Sequence, residues 1–179
     1  MRKQHYWTYS LLVIVVGLGA VVAYRYYATQ RAAQNQQANK YLVQSFDSNA
    51  VTAITVTQHQ TVTELTKQAD GSWLIANDSN VPANQTAITN LLSTITHSTI
   101  QAVSARTMTT PEQYGLNPDQ AIQVIVKQAD TVLADIIIGK IGSAAQTLYA
   151  QRSGDVAVYL VSGQRGHFAQ TDWAEPNEQ

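Results

Sequence analysis

Histidine and carboxylate side chains are the groups in this chain that could bind a metal or transfer protons. The four histidines are His5, His59, His97 and His167. None of them stands three or four residues from another histidine or from a carboxylate, which is the spacing of a zinc site. The chain has no cysteine, so disulfides, thiolate zinc sites and cysteine nucleophiles are excluded. We therefore expect no metal and no cofactor.

The twelve Asp and Glu side chains do not single out an acid–base pair. Most of them stand at turn positions, where Asp commonly bonds the backbone. Glu64 and Asp135 fall within predicted strands, and a hydrolase would need these two carboxylates within about 10 Å of each other in one cleft. The chain also lacks a Gly-x-Ser-x-Gly nucleophile motif. We expect a protein that is not an enzyme.

Two features are distinctive enough to suggest a structural or interaction motif. Trp73 follows the turn signal Asp70-Gly71, so it belongs in the core or, if exposed, on a partner surface. The second feature is the segment of residues 114–118, which we call the Tyr-Gly-Leu motif. Its glycine is expected to take an unusual backbone angle while its Tyr and Leu fill the core. The candidate motif residues are Trp73, Tyr114, Gly115, Leu116 and Pro118.

Charge is distributed unevenly along the 179 residues. Residues 1–40 contain five basic side chains and no acidic one, whereas residues 41–179 contain six basic and twelve acidic side chains. An acidic body repels phosphate, so nucleic acid is not an expected partner. The basic arm flanks an apolar stretch, which indicates a membrane.

Residues 7–24 form this apolar stretch, and none of them is charged. Eighteen residues at about 1.5 Å each make a helix of about 27 Å, close to the hydrocarbon thickness of a bilayer. Tyrosine and tryptophan stand at both ends, as in the aromatic belts of membrane helices. We predict a transmembrane anchor in residues 1–27 that contacts membrane lipid through residues 7–24.

A cleaved signal peptide is the alternative to an anchor, with Val21-Val22-Ala23 as the cleavage site. The apolar run is long for a signal peptide, and residues 24–27 are bulky and basic where small residues are preferred. Basic residues flank both ends, so the positive-inside rule hardly decides the orientation. A short tail before one span is typical of proteins whose large C-terminal body is translocated. We expect a single-pass protein with an extracytoplasmic C-terminal domain.

Residues 28–46 are rich in Ala, Gln and Asn, which suits a helical stalk or a loose polar linker. From residue 47 to residue 165 we predict the extracytoplasmic domain, and residues 166–179 form a polar tail. Short β-branched segments in the domain are separated by turn signals at Asp70-Gly71, Asp130 and Gly154-Asp155. This pattern is typical of antiparallel hairpins.

One amphipathic helix is predicted between the strands. Pro82 and Asn84 mark its beginning, and Asn84 is suited to cap it. Four apolar residues recur at helical spacing, namely Ile88, Leu91, Leu92 and Ile95. The predicted fold is α+β: an antiparallel sheet of about seven or eight short strands with one amphipathic helix on a face, preceded by one N-terminal transmembrane helix.

The order of these motifs resembles a bacterial family known only as a domain of unknown function. The resemblance covers about residues 50–162, and the Tyr-Gly-Leu motif is its most specific element. This chain has room for one copy of a unit that is often repeated, and Asn84 stands where Asp is more frequent. The matching segments are Trp73-Leu74, Val81-Pro82-Ala83-Asn84, Leu91-Leu92, Tyr114-Gly115-Leu116-Asn117-Pro118, Ile138-Gly139, Leu148-Tyr149-Ala150-Gln151-Arg152 and Val158-Tyr159-Leu160-Val161.

The resemblance implies a cellular setting. Members of that family are often membrane-anchored and often found near components of ABC-type transport systems like those of gliding motility. It therefore implies a protein of the bacterial inner (cytoplasmic) membrane, with a membrane or envelope protein as its partner. The family has no established catalytic residues, so it implies none here.

The function predicted from the sequence is that of a non-enzymatic, membrane-anchored accessory or scaffold protein of a bacterial envelope or ABC-type transport complex. It would act by protein–protein contact. The alternative is an extracytoplasmic module that binds a small molecule or a glycan through Trp73, Tyr149 and Tyr159. A structure with all three rings buried in the core would count against that alternative.

Overall fold

The computed structural model describes residues 40–78, 81–170 and 172–176. The predicted anchor in residues 1–27 and the predicted stalk up to residue 39 lie outside these ranges. Within the described ranges, no helix is both long enough and apolar enough to cross a membrane. The transmembrane anchor therefore stays a prediction.

The first part of the domain forms four strands in succession. β1 (Ala53–Gln58) and β2 (Thr61–Lys67) pair around the two-residue turn His59-Gln60. β3 (Trp73–Ile75) pairs with β2, and β4 (Val81–Pro82) pairs with β3. Residues of β1 alternate between buried and partly exposed positions, as expected for a strand with one face on the core.

The second part of the domain contains five more strands. They are β5 (Ile100–Ala105), β6 (Ile122–Gln128), β7 (Thr131–Ile141), β8 (Thr147–Arg152) and β9 (Val158–Ser162). All nine join one antiparallel sheet in the order β4-β3-β2-β1-β6-β7-β8-β9-β5. The strands β4 and β5 are consecutive in the chain, yet they lie at opposite edges of the sheet.

The helix α1 (Gln85–His97) connects these two edge strands. The side chain of Asn84 accepts a hydrogen bond from the amide of Ala87 at 2.9 Å, so Asn84 caps the helix as the sequence predicted. The apolar stripe is buried, and its members are Ile88, Leu91, Leu92 and Ile95. Since it joins opposite edges, α1 crosses one face of the sheet. We call this the inner face and the opposite one the outer face.

Short segments cover part of each sheet edge. Tyr41 bridges Thr99 at the start of β5, and Ala174 bridges Ala83 directly after β4. Each bridge is antiparallel, so the first and last described segments each extend the sheet by a short pairing. Such coverage reduces the unpaired backbone that an edge strand presents to other chains.

Residues near the C-terminus contribute to the core. Phe168 has none of its surface exposed, and Trp173 has 3% exposed. Both belong to the same hydrophobic cluster as the helix residues and the inner face of the sheet. The segment that the sequence indicated as a polar tail therefore supplies two large aromatic side chains to the interior.

The α+β class, the antiparallel sheet and the amphipathic helix are confirmed, with a difference in strand number. The sheet has nine strands rather than about seven or eight. β4 is only two residues long and includes Pro82, so no alternating pattern could indicate it. A four-residue helix, α2 (Pro111–Tyr114), also lies in the connection that the sequence indicated as turn-rich.

Candidate functional site

The Tyr-Gly-Leu motif follows directly from the end of α2. Pro111 stands in the first turn of this helix, where its fixed φ angle and missing N–H are tolerated. The helix ends at Gly115, whose φ of 66° is in the left-handed region, and the amide of Leu116 donates to the carbonyl of Pro111 at 2.9 Å. Glycine is favoured at this position because it has no Cβ to clash in that conformation.

The motif lies directly against the backbone of β7. A Cβ added to Gly115 would come within 2.9 Å of the backbone nitrogen of Lys140. A Cβ added to Gly139 would overlap the carbonyl oxygen of Tyr114 and come within 3.2 Å of the Leu116 side chain. The two segments are therefore in backbone-to-backbone contact, which only glycine permits on both sides.

Side chains extend this contact across the outer face. The rings of Tyr114 and Tyr149 meet edge to face, with centroids 5.1 Å apart and an interplanar angle of 63°. Tyr149 lies on the outer face because its neighbours Leu148 and Ala150 are buried on the inner one. Leu116 is 7% exposed and Tyr114 is half-buried, and neither belongs to the hydrophobic cluster of the core. The expectation that both fill the core is therefore wrong, because the motif packs on the outer face.

Arg165 ties the surrounding backbone together. Its Nε donates to the carbonyl of Gly139 at 2.9 Å, and one of its terminal nitrogens donates to the carbonyl of Gln120 at 2.9 Å. The planar guanidinium suits two such bonds at once. The segment between the motif and β6 is thereby held to the strand that the motif contacts.

An open pocket of about 220 Å³ lies beside the motif on the outer face, and we call it the motif pocket. Its walls combine apolar side chains with threonine and glutamine, and no titratable group from the described part of the chain lines it. The amide of Gln123 donates to Asp135 at 2.9 Å, which fixes that wall. The lining residues are Thr57, Gln60, Leu116, Pro118, Ala121, Gln123 and Ile137.

Asn117 lies between the two motif residues that line the pocket. Its side-chain oxygen is buried and accepts no hydrogen bond from the described part of the chain. Buried acceptors of this kind are uncommon in folded proteins. Asn117 itself is not among the residues that line the pocket.

Four of the five candidate residues lie together, and the fifth lies elsewhere. Tyr114, Gly115, Leu116 and Pro118 belong to the motif, and the last two line the pocket. Trp73 is 5% exposed and lies on β3, which three strands separate from β7. Trp73 is therefore a core residue, which is one of the two roles that the sequence allowed.

The three aromatic residues considered for a ligand site do not meet. Trp73 is buried, whereas Tyr149 and Tyr159 are partly exposed. β3 and β8 are separated by β2, β1, β6 and β7, so Trp73 and Tyr149 are remote in the sheet. No single cleft can use all three rings.

Tyr159 takes part in a different network. Its hydroxyl donates to the carboxylate of Asp155 at 2.7 Å, and the Arg152 guanidinium lies 4.9 Å from the ring centre. The bond from Tyr159 is the main cause that lowers the pKa of Asp155, followed by the bond from the Ala157 amide. The same carboxylate raises the pKa of Tyr159.

Arg152 also holds the first described segment on the sheet. Its Nε donates to the carbonyl of Leu42 at 2.7 Å, and a terminal nitrogen donates to the carbonyl of Tyr41 at 3.1 Å. Leu42 itself is fully buried. The chain from residue 40 onward is thus attached to the domain by both packing and charged hydrogen bonds.

The carboxylates Glu64 and Asp135 lie in one row of the outer face. Thr55 and Ile125 stand between them as successive partners across β2, β1, β6 and β7. Three strand spacings of about 4.8 Å put the two Cα atoms about 14 Å apart. Within this row the Asp135 carboxylate accepts a hydrogen bond from the Gln123 amide at 2.9 Å.

The described histidines stand apart from one another. His97 contacts the carbonyl of Ser93 at 2.8 Å in the last turn of α1, and His167 contacts the Thr94 hydroxyl at 2.7 Å. His59 lies in the turn between β1 and β2. Within the described ranges, no three histidine, aspartate or glutamate side chains are grouped so that they could hold a metal ion.

Several residues around the pocket could not be selected from the sequence. Arg165 and Gln123 have no distinctive spacing, and Thr57 is one of many threonines. Arg165 reaches the motif from a short 3-10 helix, and Thr57 and Gln123 come together only through the pairing of β1 with β6. A single sequence contains no signal for this pairing.

A comparison with protein families gives one match. The family model described as "Domain of unknown function (DUF4340)" matches residues 73–177. The matched region begins at β3 and includes the Tyr-Gly-Leu motif, Gly139 and Arg165, while β1 and β2 precede it. No curated protein and no solved structure matches the chain.

Proposed function

We propose a function for this chain, which belongs to the DUF4340 family. It is a non-enzymatic, membrane-anchored accessory or scaffold protein of a bacterial envelope or ABC-type transport complex. It acts by protein–protein contact. Its anchor lies in the inner (cytoplasmic) membrane, and its domain is extracytoplasmic. The uncharged stretch of residues 7–24 with aromatic flanks supports the anchor.

The observation that carries the proposal is the motif pocket. It is open, about 220 Å³ in volume, and lined by apolar and uncharged polar groups. A partner's apolar side chain fits such a pocket, while Gln60 and Gln123 offer amide groups to the partner's backbone. Apolar side chains that insert into pockets with polar surroundings contribute much of the binding energy of protein interfaces.

Backbone contacts hold the pocket in place, which favours a preformed binding surface over loops that become ordered when the partner binds. Gly115 and Gly139 fix the motif on β7, and Arg165 fixes the segment behind it. A preformed pocket avoids the entropy cost of ordering loops during association. The proposed contact therefore uses the outer face at the motif.

The test is affinity purification of the full-length protein from solubilised membranes with two matched variants. Thr57→Trp fills the pocket, whereas Thr55→Trp places the same ring on the same strand and face, outside the pocket lining. We expect the wild type and the Thr55→Trp variant to recover one membrane complex and the Thr57→Trp variant to lose it.

Two outcomes would contradict the proposal. Recovery of the same complex by both variants would remove the motif pocket from the contact. Failure of the folded wild type to recover any complex after cross-linking in the membrane would contradict the accessory role itself. Circular dichroism of each variant confirms that the tryptophan substitution leaves the fold intact.

A further inference from the structure

A second cavity lies on the inner face at the end of the β1–β2 hairpin, and we call it the hairpin cavity. It has a volume of about 180 Å³, which equals the space of about six liquid water molecules. Gln170 and Trp173, near the C-terminus, also border it. Its lining residues are Val56, Gln58, His59, Thr61, Thr63, Gln170 and Trp173.

Polar residues here occupy inward positions at the edge of the core, where Gln58 and Thr63 are half-buried and Thr61 is exposed. Gln58 is the partner of Ile122, which in turn is the partner of Ile138, and both isoleucines are fully buried on the inner face. On β1 and β2 the same row continues with Gln58 and Thr61. Polar residues at inward positions weaken a core unless they serve another purpose.

The next inward pair of residues on β1 and β2 also includes a polar side chain. Val56 is 2% exposed, and its partner on β2 is Thr63 rather than an apolar residue. None of the hydrogen bonds within the described part of the chain uses the side chains of Gln58, Thr61 or Thr63. Their amide and hydroxyl groups are therefore available to a bound molecule.

The turn residue His59 adds a further observation. Both His59 and Gln60 have positive φ angles, 49° and 65°, in a two-residue turn where glycine or asparagine is usual. Ala129 and Gln146 also have positive φ angles, of 49° and 54°, so this backbone conformation is not specific to the cavity. What distinguishes the β1–β2 turn is that His59 lines the hairpin cavity and Gln60 lines the motif pocket.

We propose that the hairpin cavity binds an uncharged, polyhydroxylated molecule about the size of one sugar ring. Among the residues that the structure describes, no Asp, Glu, Lys or Arg lines the cavity, so a charged ligand would lose hydration without a compensating charge. Amides and hydroxyls donate and accept hydrogen bonds, which matches the hydroxyl groups of such a ligand. Val56 and Trp173 line the cavity but expose only 2% and 3% of their surface, so the polar groups would make most of the contact.

This site is separate from the proposed protein contact. The motif pocket lies on the outer face, and the hairpin cavity lies on the inner face of the same hairpin. The Trp73, Tyr149 and Tyr159 rings take no part in it. Binding at the cavity can therefore be tested without reference to any protein partner.

The test uses the purified full-length chain in a detergent without a sugar headgroup. Glucose and N-acetylglucosamine are the probes, glucuronate is the charged comparison, and saturation-transfer NMR of the sugar resonances is the readout. We expect the two neutral sugars to bind with dissociation constants in the millimolar range, as small ligands do, and glucuronate to bind more weakly. Absence of signal from both neutral sugars would overturn the proposal.

Two valine variants locate the site. Thr63→Val removes an inward hydroxyl at the cavity, and Thr66→Val removes an outward one on the same strand. We expect Thr63→Val to weaken sugar binding about three- to tenfold and Thr66→Val to leave it unchanged. Equal sugar binding by Thr63→Val and the wild type would overturn the placement of the sugar site in the hairpin cavity.

Thermal unfolding separates a binding role from a structural one. If Thr63 is kept for binding, Thr63→Val keeps or raises the midpoint temperature while it weakens binding, because valine suits a half-buried strand position. A lowered midpoint together with weakened binding would mean that the hydroxyl stabilises the fold, and this result would overturn the binding role.

Discussion

Gly115 and Gly139 lie so close to each other's neighbouring backbone that neither position has room for a side chain. An alanine Cβ at position 139 would overlap the carbonyl oxygen of Tyr114. An alanine Cβ at position 115 would approach the backbone nitrogen of Lys140 to 2.9 Å. This contact sets the position of the Tyr-Gly-Leu motif on the sheet, and with it the wall of the motif pocket.

Gly139→Ala is expected to destabilise the domain by about 2–3 kcal/mol, because the obstacle is backbone that cannot rotate away. Urea unfolding followed by circular dichroism measures the change. Gly166→Ala is the matched control, since a Cβ there meets nothing within 4 Å and the change should stay within about 0.5 kcal/mol. Equal effects of the two substitutions would contradict the backbone contact.

Arg152→Lys is expected to loosen the first described segment. Lysine keeps the charge, but its single ammonium nitrogen lacks the planar fork by which two separate nitrogens of Arg152 reach the carbonyls of Tyr41 and Leu42. We expect a loss of about 1–2 kcal/mol, in the lower range of hydrogen bonds to charged groups because the side chain is 34% exposed. Hydrogen exchange of the Leu42 amide, which donates to Ser98 at 3.0 Å, should accelerate.

Arg106→Lys serves as the control for this experiment. Arg106 is exposed at the end of β5 and is not among the residues that hold Tyr41 or Leu42. Its replacement should leave the Leu42 exchange rate unchanged. If Arg152→Lys also left that rate unchanged, packing of Leu42 alone would hold the segment.

The Asp155 carboxylate is expected to make stability depend on acid pH. Its pKa is lowered in the folded state, chiefly by the hydrogen bond from Tyr159. A lowered folded-state pKa contributes stability above the ordinary value of about 4, and this contribution is lost as the pH falls through the lowered value. The difference in unfolding free energy between the wild type and Asp155→Asn should thus shrink below about pH 4.

Tyr159→Phe provides the control for this pH dependence, since it removes the hydroxyl and keeps the ring. In the Tyr159→Phe background, the difference caused by Asp155→Asn should be smaller at neutral pH and should vary less between pH 7 and about pH 3. An unchanged pH profile in that background would assign the lowered pKa to the Ala157 amide instead.

Local signals in the sequence predicted the local structure well. The Asn84 cap and the apolar stripe of α1 depend on residues within two turns of each other, and both are confirmed. The hairpin turn at Asp70-Gly71 is likewise formed by adjacent residues, with Gly71 at a φ of 89°. Each of these features depends on residues that are close together in the chain, so a single sequence is enough to predict it.

Long-range pairing could not be predicted in the same way. β1 pairs with β6 along six residues, yet nothing in either strand specifies the other. Phe168 and Trp173 stand in a polar segment without periodicity, so their burial depends on the core that the sheet and α1 create. The motif pocket and the hairpin cavity both border on β1, and for this reason the sequence indicated neither.

The turn between β1 and β2 is expected to become more stable when Gln60 is replaced. Gln60 has a φ of 65°, a conformation that costs a residue with a Cβ about 1–2 kcal/mol and glycine very little. Allowing for the greater freedom of glycine in the unfolded chain, Gln60→Gly should stabilise the domain by about 1 kcal/mol. Gln68→Gly is the matched control, because Gln68 is not among the positive-φ residues, and it should lower stability by about 0.5–1 kcal/mol. Chemical denaturation measures the unfolding free energy of both variants, which should rise for Gln60→Gly and fall for Gln68→Gly. A loss of stability in Gln60→Gly would mean that the Gln60 side chain stabilises the turn itself, and its place at the motif pocket would then need no role in binding.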